Sequence, residues 1–164
     1  MTRIVASALA VSAVFCLAVP RAEAQTAQDL VGTWALVSST VQPGDIKVET
    51  FGPNPRGWLM FSHDGRYMLT YLRRDLPKVA SDSLARQTAD ESQAIAQGSV
   101  SHFGTYSVDA ANKTLVFRIE SSTFPNWDRD EQRRPFSLSG DELTYNNPEG
   151  QTGFATQVVL RRLK

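Results

Sequence analysis

Hydrophobic and polar residues alternate along most of the chain after residue 30, and turn signals interrupt the alternation at short intervals. A period of two is typical of β-strands that bury one face. The pattern predicts eight strands, over residues 33–41, 57–61, 66–71, 99–108, 114–121, 132–138, 142–146 and 154–163. The dipeptide Asp64-Gly65 is a hairpin signal and predicts that the second and third of these strands pair antiparallel.

Two segments depart from this period. Residues 83–97 are rich in Ala, Gln, Glu and Asp, and predict a helix that is capped by Ser81 or Ser83 and stopped by Gly98. Residues 27–31 predict a single helical turn before the first strand. The longer helix has only a thin apolar stripe, so it either forms a lid over one end of the fold or packs on an outer wall.

Short antiparallel strands with one inserted helix favour an all-β domain, either a closed barrel or a sandwich. Local patterning does not distinguish these two architectures. Residues 25–164, which contain all the predicted strands, have a length that suits one domain with a hydrophobic core of its own.

Residues 1–24 have the pattern of a secretory signal peptide. Arg3 precedes an apolar stretch over residues 4–20, and Ala22-Glu23-Ala24 is a small-x-small cleavage site. The stretch is shorter than the roughly 20 residues that a membrane span needs, so no membrane insertion is expected. We therefore expect a protein that is secreted or periplasmic after cleavage near Ala24. Its mature part has no cysteine, because Cys16 lies in the leader.

Charge and composition argue against several classes of function. The 17 Lys and Arg balance 17 Asp and Glu, which does not favour binding to nucleic acid. The two histidines, His63 and His102, show no metal-ligand spacing, so no metal site is expected. Neither a glycine-rich phosphate loop nor a G-x-S-x-G elbow occurs, so no cofactor is expected and a serine nucleophile has no support.

Several short motifs, taken in their order along the chain, resemble those of the lipocalin-like domain family, which is part of the calycin superfamily. The chain resembles a bacterial, exported member of this family. The motifs are Gly32-Thr33-Trp34, Pro55-x-Gly57-x-Leu59-Met60-Phe61-Ser62-x-Asp64-Gly65-Arg66-Tyr67, Phe103 to Asp109, Phe124 to Trp127, and Gln132-x-Arg134-x-Phe136. The resemblance implies an eight-stranded, antiparallel, up-and-down barrel with one inserted helix and a short N-terminal 3₁₀ turn. It also implies that an arginine of the last strand packs over Trp34, with Arg161 preferred to Arg162.

The direction of the side chains in strands 99–108 and 114–121 depends on the turn between them. A four-residue loop over 110–113 sets Tyr106 opposite Phe117. A three-residue loop over 110–112, with Asn112 in the left-handed conformation, sets Tyr106 opposite Val116 and collects four polar side chains on one face. These four are His102, Tyr106, Arg118 and Glu120.

If that polar face points inward, it lines the cavity that the resemblance implies. The candidate ligand-binding residues are then Trp58, Tyr67, His102, Tyr106, Arg118, Glu120, Trp127 and Arg134. Our preferred hypothesis is that the barrel binds a small, hydrophobic or amphipathic molecule. The alternatives are a cyclase or isomerase that uses Glu120 or His102 as proton carrier, and a non-catalytic structural or interaction barrel.

Overall fold

A computed structural model describes residues 25–148, 150 and 152–164 of the chain. The predicted signal peptide, residues 1–24, lies outside the described residues. Two helices and nine strands are found in the described part. They are α1 (Ala27–Leu30), β1 (Gly32–Val41), β2 (Val48–Glu49), β3 (Arg56–Phe61), β4 (Arg66–Leu72), α2 (Ala89–Gln97), β5 (Ser99–Asp109), β6 (Thr114–Ser122), β7 (Glu131–Ser139), β8 (Glu142–Asn147) and β9 (Thr156–Arg162).

The strands form a closed, up-and-down barrel, as predicted. From β3 to β9 each strand pairs antiparallel with the next one along the chain. The barrel closes at β1, which pairs with β3 over Gly32–Ala35 and with β9 from Trp34 to Val41. The two-residue β2, which the sequence did not predict, extends the far end of β1 outside this ring of eight.

Alternation of buried and exposed residues explains how these segments form a barrel. In β3 and β4 every second side chain is buried, and the hydrophobic members of this set point into one continuous core. Phe117 of β6 and Leu160 of β9 are fully buried there. The core extends from α1 at one end of the barrel towards the loops at the other.

The α1 end of the barrel is closed by Trp34, which is fully buried. Its indole Nε1 donates a hydrogen bond to the carbonyl oxygen of Leu30, over 2.8 Å. The guanidinium of Arg162 lies 4.1 Å from the centre of the indole ring and donates to the carbonyl oxygens of Asp29 and Val31. Helix, first strand and last strand are therefore joined around one side chain.

Two details of this closure differ from the expectation. The preferred partner, Arg161, was wrong: Arg162 is the residue directly opposite Trp34 in the β1–β9 ladder, whereas Arg161 lies opposite Ala35 and points outward. Side chains alternate along a strand, so one position decides which arginine reaches the indole. The N-terminal turn is also α-helical rather than 3₁₀.

The inserted helix α2 begins later than predicted. Its N-cap is Thr88, not Ser81 or Ser83, because Thr88 and Glu91 form a capping box in which each side chain accepts from the other residue's backbone N–H. The helix ends at Gln97, and Gly98 follows it as predicted. Ser99 Oγ donates to the carbonyl oxygen of Ile95, which attaches the helix to the start of β5.

The turn between β5 and β6 decides which side chains enter the barrel. It follows the four-residue loop: Tyr106 lies opposite Phe117, and the left-handed residue is Lys113, not Asn112. A β-bulge then shifts the pairing near Gly104, so that His102 lies opposite Ser122 rather than Ser121. The grouping of His102 and Tyr106 with Arg118 and Glu120 on one face was therefore wrong.

None of the helices in the described residues is long and apolar enough to cross a membrane.

Candidate ligand-binding site

A small cavity lies inside the barrel near the end opposite Trp34. Its volume is about 40 Å³. The strands β1, β4, β5, β7, β8 and β9 contribute to its wall, and residues 50, 51, 127 and 150 from the connecting loops reach its rim. The described residues of the inserted segment 73–98 do not line it, so α2 is not a lid over this cavity. Apolar and aromatic groups form most of the lining, and a few buried polar groups interrupt it.

Arg134 is the charged residue among the described residues that line this cavity. It comes from β7 and is only 2% exposed. Its guanidinium lies 4.5 Å from the ring centre of Phe117 and 5.1 Å from that of Tyr145, so two aromatic rings flank the cation. Its Nη2 donates to Gln132 Oε1 over 2.5 Å, while its buried Nε has no hydrogen-bond partner among the described residues.

His102 and Tyr67 form a buried pair beside this arginine. His102 Nδ1 and the Tyr67 hydroxyl are 2.8 Å apart. Burial, followed by the positive charge of Arg134, holds the pKa of His102 well below its usual value, so the imidazole is neutral near pH 7. A neutral Nδ1 is an acceptor when the proton is on Nε2, and the tyrosine hydroxyl then donates to it.

A second pair of hydroxyls lies in the cavity wall. Those of Tyr71 and Tyr145 are 3.1 Å apart. Burial raises the pKa of both tyrosines, although the nearby charge of Arg134 acts in the opposite direction. Both hydroxyls are therefore neutral donors and acceptors at physiological pH.

Two aromatic side chains stand at the rim of the cavity. Phe51, from the loop after β2, is buried with its ring edge-on to Tyr71 at a centroid distance of 6.1 Å. Trp127, from a 3₁₀ turn over Pro125–Trp127, is half-buried with its ring 5.9 Å from that of His102. Trp127 is therefore the less buried of the two.

The structure brings together only part of the residue set expected from the sequence. His102, Trp127 and Arg134 line the cavity, and Tyr67 is buried behind His102. Tyr106 is also inside the barrel but nearer the closed end, where its hydroxyl donates to the carbonyl oxygen of Ser62. Tyr106 is therefore a core residue with no contact to the cavity lining described above.

The other three expected residues point away from the cavity. Trp58 lies on the outer wall and is 58% exposed. Arg118 pairs with Glu131 at 3.0 Å on the outside, and Glu120 lies 3.9 Å from Arg66 there. Large apolar side chains take the inward positions of β6. Burying them is favourable, whereas burying a charged side chain would remove it from water that solvates it well. The expectation that these three residues line the cavity was wrong. Glu120 therefore does not lie where it could carry a proton inside the cavity.

Sequence reasoning missed Phe51, Tyr71 and Tyr145 as cavity residues. Tyr71 and Tyr145 had a usable signal, because they follow the inward alternation of β4 and β8. Phe51 had none, since it lies in a loop whose path is set by contacts with distant parts of the barrel.

The buried, neutral His102 predicts a loss of stability in mild acid. Below pH 6.5 the unfolded chain binds a proton at this residue and the folded one does not, so the free energy of unfolding should fall by up to about 1.4 kcal/mol per pH unit. Urea unfolding of the wild type and His102→Asn between pH 7.5 and 5.0 measures this slope. The carboxylates with lowered pKa, such as Asp29, titrate below this range.

His63, exposed in the β3–β4 turn, supplies the matched control. His63→Asn should keep the wild-type pH profile, whereas His102→Asn should flatten it. Equal slopes in the wild type and His102→Asn would contradict the prediction.

Comparison with known proteins agrees with the barrel. A family model described as a lipocalin-like domain matches residues 31–160. The match covers most of the chain and nearly all of the barrel, so the protein belongs to the lipocalin-like domain family. No curated protein matches it.

Proposed function

We propose that the protein is exported and that it binds a small, partly hydrophobic molecule in the cavity of the barrel. One observation carries this proposal: the cavity combines aromatic walls with a buried arginine. Ligand sites in proteins join mostly apolar linings to a few placed polar groups. Membership of the lipocalin-like family supports a binding barrel in general, and residues 1–24 support export.

The size of the cavity limits what it can hold. One water-sized probe takes roughly 10–15 Å³, whereas the pockets that hold drug-sized ligands measure roughly 300–1,000 Å³. The cavity of about 40 Å³ thus has room for a few non-hydrogen atoms. A longer ligand must extend through the rim, where the half-buried Trp127 stands.

A titration followed by NMR tests the proposal on protein from the exported fraction, whose N-terminus should be Gln25. The probes are hexanoate, hexanamide, hexanol and benzyl alcohol. At least one should give saturable shifts of the cavity-lining amides, and a probe at 100 times its Kd should stabilise the fold by about 2.7 kcal/mol. Native mass spectrometry of the same sample should show a bound small molecule.

A pair of variants carries the same substitution on opposite faces of the barrel. Val100→Leu adds a methylene at the cavity wall, and Val37→Leu adds it on the outer surface. Binding should be lost or weakened at least tenfold in the first and unchanged in the second. Shifts that persist in Val100→Leu, or the absence of any saturable shift and of a co-purifying molecule, would overturn the proposal.

A further inference from the structure

The guanidinium of Arg134 is buried without enough partners for its charge. It offers five N–H donors, of which one donates to Gln132 Oε1 and another interacts with the nearby Tyr145 hydroxyl. Its Nε is buried and has no hydrogen-bond partner in the part of the chain that the structure describes. The ion pairs formed by the described residues involve other arginines and one lysine, and none of them includes Arg134. An isolated buried charge is costly unless another group compensates it.

None of the described polar groups around Arg134 brings a negative charge. His102 is neutral, and the hydroxyls of Tyr67, Tyr71 and Tyr145 keep their protons because burial raises the pKa of each. The aromatic rings of Phe117 and Tyr145 offer their faces to the cation but accept no conventional hydrogen bond. The described residues of the cavity therefore carry one positive charge, on Arg134, beside a mostly apolar lining.

We infer that the ligand of this cavity is a small carboxylate and that Arg134 is the residue that binds its charged group. This inference rests on the proposed function and adds to it the chemical class of the ligand. The planar guanidinium matches a carboxylate, which accepts two parallel N–H donors and would use the free Nε. The small volume of the cavity favours a planar carboxylate over a larger tetrahedral anion.

The test compares each carboxylate with its neutral amide, which has nearly the same shape. Acetate, butyrate and hexanoate are titrated against acetamide, butyramide and hexanamide at constant ionic strength, with NMR shifts of the cavity amides as the readout. In the wild type the carboxylate should bind at least tenfold more tightly than the amide. In Arg134→Gln this preference should disappear, while affinity for the amide changes less than threefold.

Arg133 provides the matched control, because it is the adjacent arginine and points outward to Asp109. Arg133→Gln should keep the wild-type preference for carboxylates. Equal binding of acids and amides in the wild type would overturn the inference and leave the proposed function standing. If neither acids, amides nor the alcohols bind, the proposed function fails and the inference fails with it. Tighter binding of inorganic phosphate than of acetate would also overturn the carboxylate assignment.

A second variant separates binding from folding. Arg134→Met keeps an extended apolar side chain between Phe117 and Tyr145 but removes the charge. Without ligand, its melting temperature should equal or exceed that of the wild type, and butyrate should no longer raise it. A large loss of stability in both Arg134→Met and Arg134→Gln would show that the fold itself already compensates the charge, and the inference would be wrong.

Discussion

Replacement of Trp34 by alanine should lower the free energy of unfolding by about 3–5 kcal/mol, the range for deletion of a large buried aromatic side chain. Trp34 is fully buried, and its removal leaves a cavity at the closed end of the barrel. It also removes the indole, which donates a hydrogen bond to the carbonyl oxygen of Leu30 and packs against the guanidinium of Arg162. These contacts hold α1 and the two ends of the sheet together, so few neighbours can move in to fill the space.

Urea unfolding followed by circular dichroism measures this loss. Trp58 supplies a control of the same residue type, on the strand that pairs with β1 but facing outward. Trp58→Ala should cost no more than about 0.5 kcal/mol, as is usual for surface substitutions. If Trp34→Ala and Trp58→Ala unfold at the same urea concentration, Trp34 does not close the barrel in the way described.

Gly104→Ala should lower the free energy of unfolding by about 3 kcal/mol, the upper end of the range for overpacking. A Cβ at this position would collide with the backbone carbonyl oxygen of Arg118 and lie 2.8 Å from the backbone nitrogen of Glu120. Backbone atoms in a ladder cannot rotate away as a side chain does. The β5–β6 pairing would have to open at the bulge, close to His102.

Gly140→Ala separates this collision from the general effect of losing a glycine. Gly140 has a left-handed φ of 58°, and nothing lies within 4 Å of a Cβ placed there. Its replacement should cost only the conformational penalty of about 1–2 kcal/mol. Gly104→Ala should therefore unfold at a clearly lower urea concentration than Gly140→Ala, and the reverse order would contradict the steric explanation.

Most of the strands could be predicted because their signals are local. The Asp64-Gly65 turn and the alternation on either side of it appear in the structure as the β3–β4 hairpin. Gly98 ends α2 as expected. The start of α2 was misplaced because several serines and threonines can cap a helix, and only contacts beyond the local segment select among them. Glu91, for example, also accepts from the backbone N–H of Ala80.

The candidate site was harder to predict because it depends on register. One residue more or less in the loop after β5 reverses which side chains of β6 face inward, and the bulge beside Gly104 then shifts the partner of His102; neither leaves much trace in the hydrophobic pattern. The same sensitivity explains why Arg162 rather than Arg161 reaches Trp34. Arg134, a candidate from the sequence, does line the cavity. That it has no carboxylate partner among the described residues could be seen only from the positions of the neighbouring strands.

By itself the sequence determined the number and order of the barrel strands and the residue, Trp34, that closes one end. It could do so because alternation and turn residues act within a few positions of one another, and because the family resemblance supplied the choice of a barrel over a sandwich. Only the tertiary structure decided that Arg134, His102, Tyr71 and Tyr145 share one cavity. These residues come from four different strands, β4, β5, β7 and β8, and their meeting depends on how the apolar side chains pack the interior of the closed barrel.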